Sequence, residues 1–123
     1  MDEKIIHILE QVIAKSKDRE TVWNKTNRES EYKLKLSAGF ITVDNWFVDS
    51  SNYYDVNIFN KDGDKIFSID VGEHHKDANI LYEKLKELHT LAVSIFYKAD
   101  ETLDSMFEEL KKKGKVGEAD DIF

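Results

Sequence analysis

The stretch that decides the fold runs from Glu31 to Val71 and reads EYKLKLSAGFITVDNWFVDSSNYYDVNIFNKDGDKIFSIDV. Within it, apolar residues alternate with polar ones, which is the pattern of strands with one buried and one wet face. Turn residues interrupt the alternation at residues 37–39, 49–52 and 60–64. Short connections between consecutive strands favour antiparallel neighbours. The stretch therefore predicts a four-stranded antiparallel meander.

The four predicted strands cover residues 31–36, 40–48, 53–59 and 65–71. Each strand places its apolar residues on one face, namely Tyr32, Leu34 and Leu36, then Ile41 and Val43, then Tyr54, Val56 and Ile58, and finally Phe67, Ile69 and Val71. Asp44 and Asn45 interrupt the alternation in the second strand, which predicts a β-bulge there. The pair Asp62-Gly63 suits a tight hairpin between the last two strands.

Outside the meander, the hydrophobic period lengthens to that of a helix. Residues 3–17 predict an amphipathic helix, with acids near its start and lysines near its end, as the helix dipole favours. Residues 18–30 are polar apart from Val22 and Trp23. We predict a helix end and a loop there, with Trp23 anchoring the loop to the core. The predicted fold class is α+β, with a second, long helix after the sheet.

The C-terminal helix is predicted to begin near Asp77, a favourable N-cap residue. One helical phase then holds through Leu81, Leu85, Leu88, Ala92, Ile95, Ala99, Leu103, Met106 and Leu110. Two interpretations fit: one continuous helix about 50 Å long, or two helices broken near Asp100, which would cap the second. A continuous helix would overhang a domain of about 35 Å. We predict one domain over residues 1–114 and a flexible acidic tail over residues 115–123.

The composition excludes several classes of protein. The chain has 123 residues, enough for one domain, and no cysteine, which excludes disulfides and thiolate metal sites. No apolar run approaches the roughly 18 residues of a membrane span, and the acidic N-terminus lacks the basic region of a signal peptide. We therefore expect a cytoplasmic protein. The net charge of −7 favours basic partners over nucleic acid.

A loop before the C-terminal helix holds the densest group of potential metal ligands, Glu73-His74-His75-Lys76-Asp77. Neighbouring histidines and a carboxylate can bind an ion together. The spacing differs from His-Glu-x-x-His, however, and the other histidines, His7 and His89, belong to separate predicted helices. Loose matches of this kind are mostly solvated polar loops. We therefore predict no metal and no cofactor, and keep a metal or small-ligand binder only as an alternative.

No motif for catalysis stands out. Cysteine is absent, no Gly-x-Ser-x-Gly elbow occurs, and the five glycines form no phosphate-binding loop. We predict that the protein is not an enzyme.

A basic patch is formed by four residues, Lys25, Arg28, Lys33 and Lys35, near the aromatic residues Trp23, Tyr32 and Trp46. Such a patch can bind single-stranded nucleic acid by stacking. Tyr32, however, should face away from Lys33 and Lys35 and belong to the core.

The chain ends in Glu118-Ala119-Asp120-Asp121-Ile122-Phe123, with an apolar pair behind three acids. This ending resembles the acidic tip of bacterial single-stranded DNA-binding proteins, in which aspartates precede Ile-Pro-Phe. Asp120, Asp121, Ile122 and Phe123 match that tip, whereas its proline is missing here. The resemblance implies docking on another protein, with the terminal Phe in an apolar pocket and its carboxylate on a basic side chain.

The leading hypothesis is an acidic protein-interaction or regulatory protein of the inhibitor or immunity type, from a bacterium or a phage. An accessory protein of DNA metabolism is the alternative. The predicted partner-binding residues are those of the overhanging helix and of the tail: Leu103, Met106, Phe107, Leu110, Asp120, Asp121, Ile122 and Phe123. Exposure of four such helix residues is costly, and homodimers are the commonest oligomers, so we predict a homodimer.

Overall fold

A computed structural model describes residues 3–75 and 79–120 of the chain. The predicted α+β class is confirmed: one helix precedes an antiparallel sheet of five strands, and two helices follow it. In chain order the elements are α1 (Glu3–Lys17), β1 (Trp23–Lys25), β2 (Tyr32–Lys35), β3 (Gly39–Val48), β4 (Ser51–Asn60), β5 (Lys65–Gly72), α2 (Asn79–Phe96) and α3 (Ala99–Lys111).

The meander is confirmed, since the strands lie in the order β1-β2-β3-β4-β5 and every neighbouring pair is antiparallel. The predicted number of four strands is wrong. β1 adds a fifth by pairing Trp23 with Leu34 of β2. Its three residues are too few to show an alternation, so the sequence indicated only that Trp23 is an anchor. Trp23 is indeed buried.

The β-bulge predicted at Asp44 and Asn45 is wrong. The β3–β4 ladder continues through both residues, with Asp44 opposite Asp55. The polar side chains leave the ladder intact because each finds its hydrogen bonds elsewhere: Ser30 Oγ donates to Asp44, and Asn45 Nδ2 donates to the carbonyl of Tyr53. The irregularity lies instead between β4 and β5, at Ile58 and Phe59.

The β3–β4 hairpin closes with a two-residue turn at Asp49 and Ser50. Both residues have positive φ, 50° and 63°, as a type I′ turn requires. The twist of that turn matches the twist of the strands, and its length sets the register of the whole hairpin. Val48 therefore pairs with Ser51, and the pairing continues to Gly39 and Asn60.

One face of the sheet and the inner face of α2 form the core. The paired residues Val43 and Val56 are fully buried there, as are Leu85 and Leu88 of α2. α1 packs on α2 and contributes Leu9 to the same cluster. Because the apolar residues of the strands face α2, the alternate residues face the other side of the sheet, which the helices leave open.

The C-terminal helical section is broken, so the single long helix is wrong and the two-helix interpretation is confirmed. The break lies at Tyr97 and Lys98, just before Asp100, and Lys98 has the left-handed φ of 53°. Asp100 is not the cap of α3; it lies in the first turn. The predicted N-cap of the preceding helix, Asp77, lies outside the described residues.

Beyond α3, residues 115–120 form no helix or strand and are exposed. They follow Gly114, whose φ of 110° suits only glycine among common residues. Among the described residues, no helix combines the length and the apolarity needed to cross a bilayer.

Candidate functional site

The clearest candidate for an interaction site is one face of α3. Four large apolar side chains recur there at steps of three and one residues, which places them on one side of a helix. Their exposed fractions are 62% for Leu103, 55% for Met106, 61% for Phe107 and 65% for Leu110. None of the 13 residues of α3 is buried. We call these four residues the α3 stripe.

The stripe is bordered by charges of opposite sign at its two ends. Asp100, Glu101 and Asp104 lie in the first half of α3. Lys111 ends the helix, and Lys112, Lys113 and Lys115 follow it. This order matches the helix dipole, which favours acids at the N-terminus and bases at the C-terminus. Glu108 and Glu109 lie before these lysines, so α3 presents an apolar surface with an acidic first half and a lysine-rich segment only at its end.

The start of α3 is held against the body of the protein. The guanidinium of Arg19, which follows α1, forms an ion pair with the carboxylate of Asp100. Beside this contact lies a cavity of about 600 Å³, lined in part by Trp23, Lys98 and Asp104. This ion pair links the N-terminal end of α3 to the segment that follows α1, and the stripe lies beyond that contact.

A second surface, which sequence reasoning missed, is the open face of the sheet. Three aspartates form a row across it, because Asp44 pairs with Asp55 and Asp55 with Asp70. Next to this row Trp46 stacks on Tyr53, with ring centroids 5.6 Å apart and planes inclined by 6°. We call the three carboxylates the aspartate row.

The inner end of the aspartate row is neutralised within the chain. The carboxylate of Asp44, 1% exposed, accepts hydrogen bonds at Oδ1 from Ser30 Oγ (2.5 Å) and from the backbone N–H of Asn45 (2.8 Å). The Nη2 atom of Arg28 lies 2.6 Å from Oδ2. Oδ2 accepts no hydrogen bond of good geometry, so this contact is an ion pair. Arg28 therefore compensates the buried charge of Asp44.

Asp55, in the middle of the row, is less well compensated. Burial, together with the nearby charges of Asp44 and Glu31, raises the pKa of Asp55 to about 6. Arg28 opposes this shift without cancelling it. Like charges that face each other across strands destabilise a sheet. The aspartate row therefore lowers the stability of the folded protein near neutral pH.

In the loop that holds the group of potential metal ligands, the side chains of Glu73 and His75 form hydrogen bonds to the backbone of their own chain. Glu73 Oε1 accepts a hydrogen bond from the backbone N–H of Asn52 at 2.8 Å. His75 Nδ1 accepts one from the backbone N–H of Gly72 at 3.1 Å. Asp77, the remaining carboxylate of the predicted group, lies outside the described residues. Within residues 3–75 and 79–120, no three His, Asp or Glu side chains are placed to hold a metal ion.

His89 is also engaged within the chain. Its Nε2 lies 2.8 Å from the carbonyl oxygen of Ser30, and its ring packs against those of Tyr32 and Tyr54. Burial lowers the pKa of His89, and the hydrogen bond to Ser30 partly opposes that shift. The neutral ring, with its proton on Nε2, then donates to Ser30. His89 therefore ties α2 to the loop between β1 and β2.

The basic patch is not one continuous surface. Lys25 lies over the ring of Tyr32 at 4.9 Å, which is the core side of the sheet. Lys33 lies over Phe40 at 5.0 Å on the open side. Arg28 is paired with Asp44. Tyr32 is buried, as predicted, and is not available as a stacking platform.

The structure brings together the predicted helix residues. Leu103, Met106, Phe107 and Leu110 share one face of α3. Asp120 is exposed and lies outside any helix or strand. The remaining residues of the predicted tip, Asp121, Ile122 and Phe123, lie outside the described residues. The docking tip therefore stays a prediction.

Comparisons with protein-family models, with curated proteins and with solved structures find no match for the chain. Function is therefore inferred from the surfaces themselves.

Proposed function

We propose that this chain is a non-enzymatic protein-interaction module of the cytoplasm whose docking element is α3. The observation that carries the proposal is the exposure of all four large apolar side chains of the α3 stripe on a helix without a buried residue. Burying each such side chain stabilises an assembly by roughly 1.5–3 kcal/mol. A partner surface that covers the stripe gains this free energy.

The surroundings of the stripe support docking in preference to catalysis or nucleic-acid binding. His89 and His75 are engaged in hydrogen bonds to the backbone of their own chain. The bases of the sequence patch are split between two faces of the sheet or paired with an acid. The net charge of −7 also repels phosphates and favours basic protein partners for the assembled molecule.

Methionine oxidation tests whether the stripe is covered. Met106 lies in the stripe, whereas Ser105 lies roughly 150° around the helix from the centre of the stripe, because successive residues are about 100° apart. The variant Ser105→Met therefore carries one reporter on each face. The two methionines of α3 in this variant differ in the face that they occupy, so each serves as the control for the other, and Met1 is monitored separately.

The variant is treated with peroxide in the cells that produce it and, separately, as dilute purified protein. We expect Met106 to oxidise several-fold more slowly than the introduced methionine in cells, and at a similar rate when dilute. Equal rates in both settings would refute docking through the stripe. Protection of Met106 in dilute protein as well would mean that α3 folds back on its own domain, which also refutes the proposal.

A further inference from the structure

We propose that the α3 stripe is covered by the α3 stripe of a second copy, with the two helices antiparallel about a two-fold axis that passes between Met106 and Phe107. This inference rests on the proposed function, because it names the occupant of the same docking surface. It also assigns a register and a pair of specificity-determining charges, Asp104 and Lys111.

The first support is the symmetry of the apolar residues along α3. An axis between Met106 and Phe107 places Leu103 opposite Leu110 of the second copy, and Met106 opposite Phe107. All four side chains are more than half exposed. A two-fold interface requires one patch that is complementary to itself. The stripe meets this requirement, because every apolar side chain faces another apolar side chain.

The second support is the order of charges along one flank of the stripe. Asp100, Asp104, Phe107 and Lys111 follow one another at steps of four, three and four residues, so they form a single line on the helix. The acids lie at the start of this line and the lysine at its end. In an antiparallel pair about a two-fold axis, this flank of one helix lies beside the same flank of the other helix. The two flanks run in opposite directions, so the start of one is beside the end of the other.

Reversal brings Lys111 of the second copy beside Asp104, and the symmetry repeats the contact. Asp100 is already paired with Arg19, whereas Asp104 forms no ion pair among the described residues. Lys111 Nζ lies 3.3 Å from Glu108 Oε1 of its own helix, but both side chains are more than half exposed, so the contact with Asp104 replaces only a weak surface ion pair. A parallel arrangement would instead place the lysine-rich segments side by side, with Lys111, Lys112, Lys113 and Lys115 of each copy adjacent. Opposed helix dipoles favour the antiparallel arrangement as well.

The size of the stripe indicates a weak dimer. A standard stable interface buries about 800 Å² on each side. The four half-exposed side chains of the stripe, on a helix of 13 residues, supply less area than that. We therefore expect a dissociation constant in the range of about 10–100 μM. Sedimentation of the purified chain from about 5 μM to 500 μM spans that range, and the average mass should rise from near 14.4 kDa towards twice that value.

The stripe variant Leu103→Asp/Phe107→Asp should remain monomeric over the whole range, while circular dichroism shows a folded protein. Ser105→Asp, on the opposite side of the same helix, is the matched control and should dimerise as the natural chain does. A monomeric natural chain at 500 μM would overturn the second copy as occupant. Dimerisation of the stripe variant would overturn the stripe as the interface.

Charge reversal tests the antiparallel register. Asp104→Lys alone creates two Lys–Lys contacts per dimer, and Lys111→Asp alone creates two Asp–Asp contacts. Each should weaken self-association by about ten-fold, given the modest energy of exposed ion pairs. A mixture of the two variants should form heterodimers preferentially, because both contacts across the axis are then attractive. The double variant Asp104→Lys/Lys111→Asp should self-associate like the natural chain.

The matched control pair is Glu101→Lys and Lys112→Glu, because Glu101 lies on the side of α3 away from the stripe and Lys112 follows the end of the helix with extended backbone. Mixing these two variants should show no preference for heterodimers. Heterodimer preference in the control, or its absence with Asp104→Lys and Lys111→Asp, would overturn the register.

The oxidation experiment distinguishes failure of the second copy as the occupant from failure of the stripe as a docking surface. Protection of Met106 in cells, combined with a monomeric and unprotected purified chain at 500 μM, would retain α3 as a docking element and reject the second copy. Loss of protection in both settings would reject the proposed function itself.

Discussion

At the scale of single residues, the aspartate row shows how a sheet accepts charges that oppose folding. Asp44 is buried, its charge is compensated by Arg28, and it accepts a hydrogen bond from Ser30, whereas Asp55 lies between Asp44 and Asp70 with no base of its own among the described contacts. Burial and the nearby negative charges raise the pKa of Asp55 to about 6. Its consequence is a dependence of stability on pH.

The folded protein binds the proton of Asp55 more tightly than the unfolded chain, whose aspartates titrate near 3.9. Protonation therefore favours the folded state, and Asp55 destabilises it increasingly as the pH rises from about 4 to 6. We expect Asp55→Asn to raise the free energy of unfolding at pH 7.5 by about 1 kcal/mol, after a discount for solvent screening. At pH 4 the substitution should have little effect.

Denaturant unfolding at both pH values measures this difference. Asp70→Asn, at the exposed end of the same row, is the control and should give a smaller gain. A loss of stability at pH 7.5 for Asp55→Asn would contradict the electrostatic account.

Trp23 provides a second test at the residue scale. Its Nε1 donates a hydrogen bond to Ser16 Oγ at 3.2 Å, and Ser16 Oγ lies 3.0 Å from Thr21 Oγ1. Trp23→Phe keeps an aromatic ring but removes the donor and leaves a small void. We expect a loss of about 1.5–3 kcal/mol in the free energy of unfolding. Its neighbour Val22 is 74% exposed, so Val22→Ala should change stability by less than about 0.5 kcal/mol.

At the scale of secondary-structure elements, the break between α2 and α3 depends on the backbone of Lys98. Its φ of 53° is left-handed, and the backbone N–H groups of Tyr97 and Lys98 donate to the carbonyls of Val93 and Ile95. Glycine is the residue that ends helices most often in this conformation, because it has no Cβ to clash. The break between α2 and α3 therefore lies at a lysine, although lysine is poorly suited to the left-handed conformation.

Replacement of Lys98 by glycine should stabilise the folded protein. Lys98→Gly relieves the strain of the left-handed conformation but adds freedom to the unfolded chain. We expect a net gain of about 0.5 kcal/mol in the free energy of unfolding. Lys112, at the end of α3, has a φ of −72°, so Lys112→Gly brings no relief and should not stabilise the protein. Thermal unfolding of both variants gives the comparison, and a loss of stability in Lys98→Gly would contradict the role of strain.

At the scale of the whole molecule, the structure divides the chain into a packed body and an exposed C-terminal section. α1, the sheet and α2 share one core, to which α3 contributes no buried residue. Residues 115–120 are exposed and form no regular element. Folding and assembly are therefore expected to depend on different parts of the chain.

Truncation separates the two contributions. Removal of residues 116–123 should change the free energy of unfolding by less than about 0.5 kcal/mol, because residues 116–120 are exposed and terminal segments generally contribute little to packing. Denaturant unfolding at about 5 μM protein, where dimers are few, measures this value. A loss above about 1 kcal/mol would mean that the tail packs on its own domain.

Sequence periodicity by itself determined most of the fold. Alternation predicted four of the strands between Tyr32 and Val71 and most of their buried faces, and the period of 3.6 residues predicted α1 over residues 3–17, because these patterns depend only on which face meets the core. Leu36 is the exception, since it lies beyond the end of β2 and is half exposed. The apolar residues of the α3 stripe were predicted for the same reason. β1 was missed, since three residues carry no measurable period.

Only the tertiary structure decided which side chains meet across the chain. The sequence showed Asp44, Asp55 and Asp70 as polar residues of three strands, but their alignment into a row depends on the two-residue turn at Asp49 and Ser50 and on the shift at Phe59. Likewise, the choice between one helix and two depended on a single left-handed residue, Lys98. The period of apolar residues specifies which face of a helix or strand is buried. The pairing register of the strands and the direction of the helices depend on local backbone geometry, which tertiary packing selects.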